Sequence, residues 1–285
     1  MDIHKVTIPS LLKKKKEKKK ISVLTAYDYP MARLMDEAGI DILLIGDSMG
    51  MVLLGYENTL PVTMDEMLPH IKAVSRATRQ AMVIADMPFM SYQAGNEEAV
   101  RNAGRMIKEG GADGVKIEGG LVALDQIAAV VRAGIPVMGH IGLTPQSISL
   151  LGGYRVQGKT REEAVRIVKE ASALEQTGVF SIVLECIPGN LAGIITDRLL
   201  IPTIGIGAGP SCDGQVLVSH DMLGMFSGFT PRHTKKFADL NPLVKEAFQR
   251  YRSEVEEGLF PGGPQSFTMD EQVAREIENL LNERS

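Results

Sequence analysis

The chain has 285 residues, 44% of them hydrophobic, and a formal net charge of −4, enough for a large buried core in two small domains or in one α/β barrel of about 250 residues. The negative balance argues against a nucleic-acid partner, which needs clustered positive charge, and no apolar run reaches the roughly 20 residues of a membrane span. Two cysteines, Cys186 and Cys212, are too few for a disulfide framework, and with no apolar signal core at the N-terminus a reducing cytoplasm is the simplest setting.

Residues 1–21 read as an N-terminal helical segment, in which Lys13 to Lys20 are interrupted only by Glu17. This run is either a nucleic-acid or membrane patch or the solvated face of a short helix anchored by Ile8, Leu11 and Leu12. The rest of the chain supplies no matching basic surface, which favours the second reading. From residue 22 the chain alternates. Short apolar runs at 22–26, 42–45, 82–85, 114–117, 136–139, 181–184, 203–206 and, less clearly, 222–226 have the look of parallel strands buried on both faces. Between them, residues 31–38, 65–79, 97–109, 121–133, 161–176 and 191–199 carry apolar residues near the helical period. Gly39, Gly110-Gly111, Gly134 and Gly178 stand where these helices should stop before the next strand. Eight strands alternating with helices predict a (β/α)8 TIM barrel as a single domain over residues 22–230, with a doubly wound open sheet as the alternative. Residues 231–285 read as C-terminal helices, 240–259 and 269–285, broken at Pro261-Gly262-Gly263-Pro264. They pack either on their own barrel or on a neighbouring subunit.

Function in a parallel α/β fold sits at the C-terminal ends of the strands, and these ends are polar here. Strand two runs into Gly46-Asp47-Ser48, strand three ends in Asp86, strand four carries Lys116 and ends in Glu118, strand five ends in His140, and strand six in Glu185. A single aspartate after a strand is commonly a helix cap. Asp47, Asp86 and Glu118 on successive strands would instead converge and repel, a conflict that a hard divalent cation such as magnesium resolves. Lys116 and Glu118 are two apart and share a face; they point together into the barrel mouth or together outward. Inward, Lys116 could hold a substrate carboxylate or an oxyanion. Glu185 follows an apolar strand and is either a base for a carbon acid or half of a salt bridge. His140 could be an acid, a ligand, a hydrogen-bond donor or a structural residue. The glycine-rich stretch 151–159 could be a mobile lid, and it lacks the order of a phosphate-binding loop.

Several of these blocks occur together in one known family. Thr25-Ala26-Tyr27-Asp28, Gly46-Asp47-Ser48-Met49-Gly50, Thr59-Leu60-Pro61-Val62-Thr63 and Val115-Lys116-Ile117-Glu118-Gly119-Gly120 resemble successive signatures of ketopantoate hydroxymethyltransferase. So do Gly139-His140-Ile141-Gly142-Leu143-Thr144-Pro145-Gln146, Gly152-Gly153-Tyr154-Arg155-Val156-Gln157-Gly158 and Ile204-Gly205-Ile206-Gly207-Ala208-Gly209. The resemblance runs from about residue 22 to about residue 230. Near the end, Gln265 stands where the family usually has a histidine. The resemblance implies transfer of the methylene group of methylene-tetrahydrofolate to 3-methyl-2-oxobutanoate (α-ketoisovalerate), giving ketopantoate, the first committed step of pantothenate synthesis. It implies Mg2+ held by Asp47, Asp86 and Glu118, a 2-oxo acid site of Asp47, Ser48, Asp86 and Lys116, Glu185 as the base with His140 as an auxiliary, and a homo-oligomer, commonly a decamer. Two rivals remain: a related metal-dependent lyase acting beside a 2-oxo acid, for which no strand-end catalytic cysteine motif is evident, and a non-catalytic binding barrel, against which the full set of polar strand ends argues.

Overall fold

A strand covered on both faces needs apolar side chains at nearly every position, because successive side chains point to opposite faces. β1 (Ile21–Thr25), β2 (Ile42–Ile45), β3 (Met82–Asp86), β4 (Gly114–Glu118), β5 (Val137–Gly142), β6 (Ser181–Glu185) and β7 (Thr203–Ile206) are built this way. In the computed structural model, which describes residues 4–148, 153, 155–226, 228 and 231–283, they pair in parallel in chain order. β8 (Gly214–Leu217) then closes the sheet on β1, from Ile21↔Gly214 to Leu24↔Leu217. The fold is the expected (β/α)8 barrel, and the closure rules out the open sheet.

Two apolar layers alternate along each strand. Ile42 and Leu44, with Val23, Ile84, Val183 and Val216, fill the barrel interior. Leu43 and Ile45, with Val83, Ile117, Ile182 and Leu184, face outward against helix residues such as Ile71, Met106, Ile127 and Leu174. The same parity places Asp86, Lys116, Glu118, His140 and Glu185 on the interior side, at the strands' C-terminal ends. The helices that return the chain are capped by their own sequence. Thr63 with Glu66 and Thr160 with Glu163 form reciprocal capping boxes. Gly178 ends the helix Arg161–Thr177 in a left-handed conformation, φ 97°, that glycine adopts without steric cost.

The helix Ile8–Lys16 plugs the opposite end. Leu11 is buried in the interior layer beside Ile21, Ile42 and Met82, the first residues of β1, β2 and β3. The lysine run is not simply a solvated face. Lys14 pairs with Asp41, Lys15 with Asp213 at 2.7 Å, and Lys5 with Asp113 at 2.8 Å. Each of these aspartates immediately precedes a strand, so the basic segment pins strand entrances.

Other expectations need correction. The eighth strand is not residues 222–226. The chain pairs earlier, at Gly214–Leu217, where Gln215 is exposed and breaks the apolar run that would have marked a strand, and Ser219–Met222 is a short helix. β5 continues past His140 to Gly142. Residues 121–133 divide into a 3-10 turn, Leu121–Ala123, and the helix Leu124–Arg132. The lid expected within 151–159 falls partly outside the described residues.

The barrel belongs to a compact unit, Met1–Phe237, and Ala238–Ser285 forms a second. The second unit holds the helices Leu240–Glu256 and Glu271–Asn282, neither with a buried residue. Among the described residues no helix is long and apolar enough to cross a membrane.

Candidate active site

The interior ends of β2 to β6 form the floor of a cavity of about 390 Å³. Asp47 follows β2 and is buried, and its backbone N–H donates to Asp86 Oδ2 at 3.3 Å. Asp86 ends β3, and register places it beside Lys116 on β4. Lys116 Nζ lies 2.8 Å from Asp86 Oδ1, 3.7 Å from Glu118 Oε1 and 3.2 Å from His140 Nδ1. His140, paired in register with Glu118, stands between two carboxylates: Nδ1 is 3.3 Å from Glu118 Oε1 and Nε2 is 3.2 Å from Glu185 Oε2. Neither the Nε2 contact nor the Asp86 Oδ1 contact has hydrogen-bond alignment, so both atoms are close to a charge yet keep their directional bonding capacity. Ser48 opens a short helical turn and exchanges a 2.9 Å hydrogen bond with the buried Tyr27 hydroxyl.

Gly142 explains how Glu185 is seated. β5 pairs Gly142 with Glu185, and Gly142 has φ 97°. A Cβ there would lie 2.3 Å from the Glu185 carbonyl oxygen, so only glycine lets β5 pass this close.

The electrostatics follow from burial and crowding. Burial, with the charges of Asp86 and Glu118, pushes Asp47 well above the ordinary carboxylate range. Asp86 is also raised, chiefly by burial, although Lys116 opposes it. For Glu118, burial is outweighed by His140, Lys116 and the Gln146 N–H, and the group sits below its usual value. Burial lowers Lys116, but Asp86, Glu118 and Asp47 outweigh it and hold the ammonium charged. His140 is pushed up to about 9: burial and Lys116 disfavour its charge, and Glu118 and Glu185 restore it. At neutral pH the floor carries two cations, Lys116 and His140, among four carboxyl groups.

Asp47, Asp86 and Glu118 each present an oxygen within 4.8 Å of the other two, and all three residues are buried. An all-carboxylate donor set in which burial and crowding raise Asp47 and Asp86 fits a hard divalent cation. Asp86 Oδ1, buried and without an aligned hydrogen bond, keeps a lone pair open although Lys116 Nζ is 2.8 Å away.

Every residue singled out at the strand ends lines this one cavity: Asp47, Ser48, Asp86, Lys116, Glu118, His140 and Glu185. Gln146 and Arg155 stand inside two of the family-like blocks, where the sequence assigns them no task, and Tyr92, Arg232 and His233 carry no sequence signal. Gln146 and Tyr92 are buried and tie the carboxylates together, and Arg155, Arg232 and His233 line the cavity. Cys186 is the residue just past β6. It holds φ 48° and lies 3.9 Å from His233 Nδ1, and burial pushes its thiol up to about 12. At neutral pH it stays protonated and is no nucleophile.

A sequence model described as ketopantoate hydroxymethyltransferase matches residues 5–263. The chain belongs to the ketopantoate hydroxymethyltransferase family. Among members of that family, the 3-methyl-2-oxobutanoate hydroxymethyltransferase of Syntrophomonas wolfei subsp. wolfei is 58% identical over 269 residues, covering 94% of this chain and 98% of the relative. That of Acetivibrio thermocellus is 52% identical, covering 97% of this chain and 98% of the relative. The barrel is also similar to a solved phosphonopyruvate hydrolase in complex with oxalate and Mg++, with TM-score 0.58 and 12% identity over 96% of both chains, a likeness of fold alone.

Proposed function

We propose that this chain carries out the reaction for which its relatives are named, converting 3-methyl-2-oxobutanoate to ketopantoate with methylene-tetrahydrofolate as the one-carbon donor. One observation carries the reading. The buried trio Asp47, Asp86 and Glu118 shares a cavity floor with Glu185, and His140 bridges the two groups.

Asp47, Asp86 and Glu118 hold magnesium in this reading. When bound, magnesium supplies Lewis acidity at the substrate's keto oxygen. Lys116 offsets the negative charge of the 2-oxo acid, and Ser48, oriented by Tyr27, donates a hydrogen bond to it. Asp47 and Asp86 contact the same ligand from below. Glu185 is the least buried of the floor carboxylates, its side chain 16% exposed against 3% for Asp86 and Glu118, so it can meet a substrate carbon. It accepts the proton of the branched carbon, and that carbon then bonds to the donor's methylene carbon as one of its two C–N bonds breaks. Water supplies the product hydroxyl as the second C–N bond breaks, and the proton taken by Glu185 and one proton of the water end on the two nitrogens of the released tetrahydrofolate. His140, charged and in contact with Glu185, holds the carboxylate in place.

The upper cavity suits the donor. Met51, Leu143, Val156 and Phe226 give apolar walls for a flat ring, and Arg155 and Arg232 supply cations for its anionic tail. The two free cysteines are consistent with a cytoplasmic setting. The exposed Leu243, Phe248, Leu280 and Leu281 of the C-terminal helices support a role for residues 231–285 in homo-oligomer assembly, with residues 1–21 and 22–230 as barrel plug and catalytic barrel.

The test is product formation. Incubation with 3-methyl-2-oxobutanoate and methylene-tetrahydrofolate should yield the new hydroxymethyl signal by proton NMR. A chelator should abolish it, and magnesium should restore it. Full turnover in chelator would remove the metal from the reading; no product under any condition would remove the reaction.

A further inference from the structure

Gln146 belongs to a motif, Gly142-Leu143-Thr144-Pro145-Gln146, that the proposed reaction leaves without a task. It sits in the 3-10 turn Pro145–Ser147 just beyond β5 and is 5% exposed. A buried amide must satisfy two donors and an acceptor, and every one of them is used. Nε2 donates to Asp47 Oδ2 at 2.9 Å and to the Met87 carbonyl at 2.9 Å. Oε1 accepts from the Tyr92 hydroxyl at 2.9 Å and from Gln93 Nε2 at 3.3 Å. The backbone N–H of Gln146 donates to Glu118 Oε2 at 3.0 Å. The one proton of the Tyr92 hydroxyl is shared between Gln146 Oε1 and the Glu118 carbonyl, which also lies at 2.9 Å. The amide therefore has one orientation, since a flipped amide would face its oxygen toward a carboxylate and a carbonyl.

The consequence lies in which oxygens remain. Asp47 Oδ2 and Glu118 Oε2 are occupied by Gln146, and Asp86 Oδ2 accepts the Asp47 N–H. Asp47 Oδ1, Asp86 Oδ1 and Glu118 Oε1 are the oxygens that these amide groups leave unheld, one per carboxylate, and Glu118 Oε1 also lies 3.3 Å from His140 Nδ1. Lys116 Nζ is near two of these same oxygens, at 2.8 and 3.7 Å. A cage of single oxygens suits a small octahedral ion that keeps its waters. A larger ion such as calcium gains from bidentate carboxylates and more ligands.

We propose that Gln146 is a positioning residue that holds Asp47 in one-oxygen presentation, and with it the ion site's preference for a small divalent cation over a larger one. The proposal rests on the metal reading above. Tyr92 acts through Gln146 by fixing its carbonyl end.

The experiment measures metal alone. The full chain, without substrate, is titrated calorimetrically with Mg2+ and with Ca2+, in wild type, Gln146→Leu, Tyr92→Phe and the double variant. Removing a hydrogen-bond partner of a metal ligand costs about 10–100-fold in affinity. Gln146→Leu should lose about that much for Mg2+ and distinctly less for Ca2+, so the Mg2+/Ca2+ ratio falls. Tyr92→Phe, which keeps the ring, should shift the ratio in the same direction by less. In the double variant it should add nothing to Gln146→Leu, because the two act in one chain. A merely structural role would lower both affinities together and leave the ratio unchanged; that result, in Gln146→Leu or, should it not fold, in Tyr92→Phe, overturns the proposal. If wild type itself takes up neither ion, the metal reading fails first and this inference falls with it.

Discussion

Glu185→Gln isolates the proposed base. Glutamine keeps the shape of the side chain and its place beside His140, whose Nε2 lies 3.2 Å from Glu185 Oε2. Asp47, Asp86, Glu118 and Lys116 are untouched, so binding of the 2-oxo acid should survive. The variant loses only the basic oxygen. A positioned general base is worth about 10²–10⁴-fold, or roughly 2.7–5.4 kcal/mol of barrel-bound barrier at 1.36 kcal/mol per tenfold. The first half-reaction needs no folate, so exchange into heavy water reads it directly. Proton NMR of 3-methyl-2-oxobutanoate with wild type should show loss of the methine signal and collapse of the methyl splitting. With Glu185→Gln the exchange rate should fall by that factor at unchanged substrate affinity. A variant that binds normally and exchanges at the wild-type rate would refute the assignment, and His140 would be the next proton acceptor to test.

Gly142→Ala should lower the denaturant midpoint by the equivalent of about 1–3 kcal/mol, the usual cost of overpacking, because its Cβ would stand 2.3 Å from the Glu185 carbonyl in a left-handed backbone; an unchanged midpoint would contradict this. Sedimentation at micromolar concentration should show a large homo-oligomer, on the strength of exposed Phe248, Leu280 and Leu281, and a clean monomer would end that claim while leaving the chemistry intact. Divalent-ion binding should release protons and weaken as pH falls, since Asp47 and Asp86 are raised and protons compete for their oxygens. Calorimetry in two buffers of different ionisation enthalpy checks this, and a buffer-independent heat at every acidic pH would refute it.

The barrel was legible because two independent signals agreed: apolar runs at strand length and glycines at helix ends. Gly39, Gly111, Gly134 and Gly178 all take left-handed φ values, of 78°, 82°, 81° and 97°. The eighth strand was misjudged because β8 alternates, with Gln215 exposed between buried Gly214 and Val216, so it lacks the continuous run of its neighbours. The floor residues were legible through parity: Lys116 and Glu118 sit two apart on one strand. Tyr92 was not, and Gln146 was visible only as the last member of the block 139–146, without a task, since nothing local distinguishes a glutamine that holds a carboxylate from one at the surface. Their task exists only once β2, β3 and β4 bring Asp47, Met87 and Glu118 within reach of one turn.

The charge count on the floor ties the fold to the chemistry. On the floor, Asp47, Asp86, Glu118 and Glu185 stand against Lys116 and His140, a surplus of two negative charges if all are ionised, while Asp221, Arg155 and Arg232 line the same cavity. Isolated charge is costly in a buried site, and the raised Asp47 is that cost expressed locally. A divalent cation is the size of charge that cancels the surplus, which is a stronger reason for a metal than the nearness of three carboxylates. In the proposed reaction the incoming 2-oxo acid adds one negative charge beside Lys116. Moving its proton to Glu185 would leave the total charge of the cavity unchanged, because carboxylate and carbon acid exchange roles. The site need not import or expel an ion to make the carbon nucleophilic. It needs only donors already fixed where the negative charge will gather, and the β-strand parity that buried Lys116 and His140 together with their carboxylates is what fixes them.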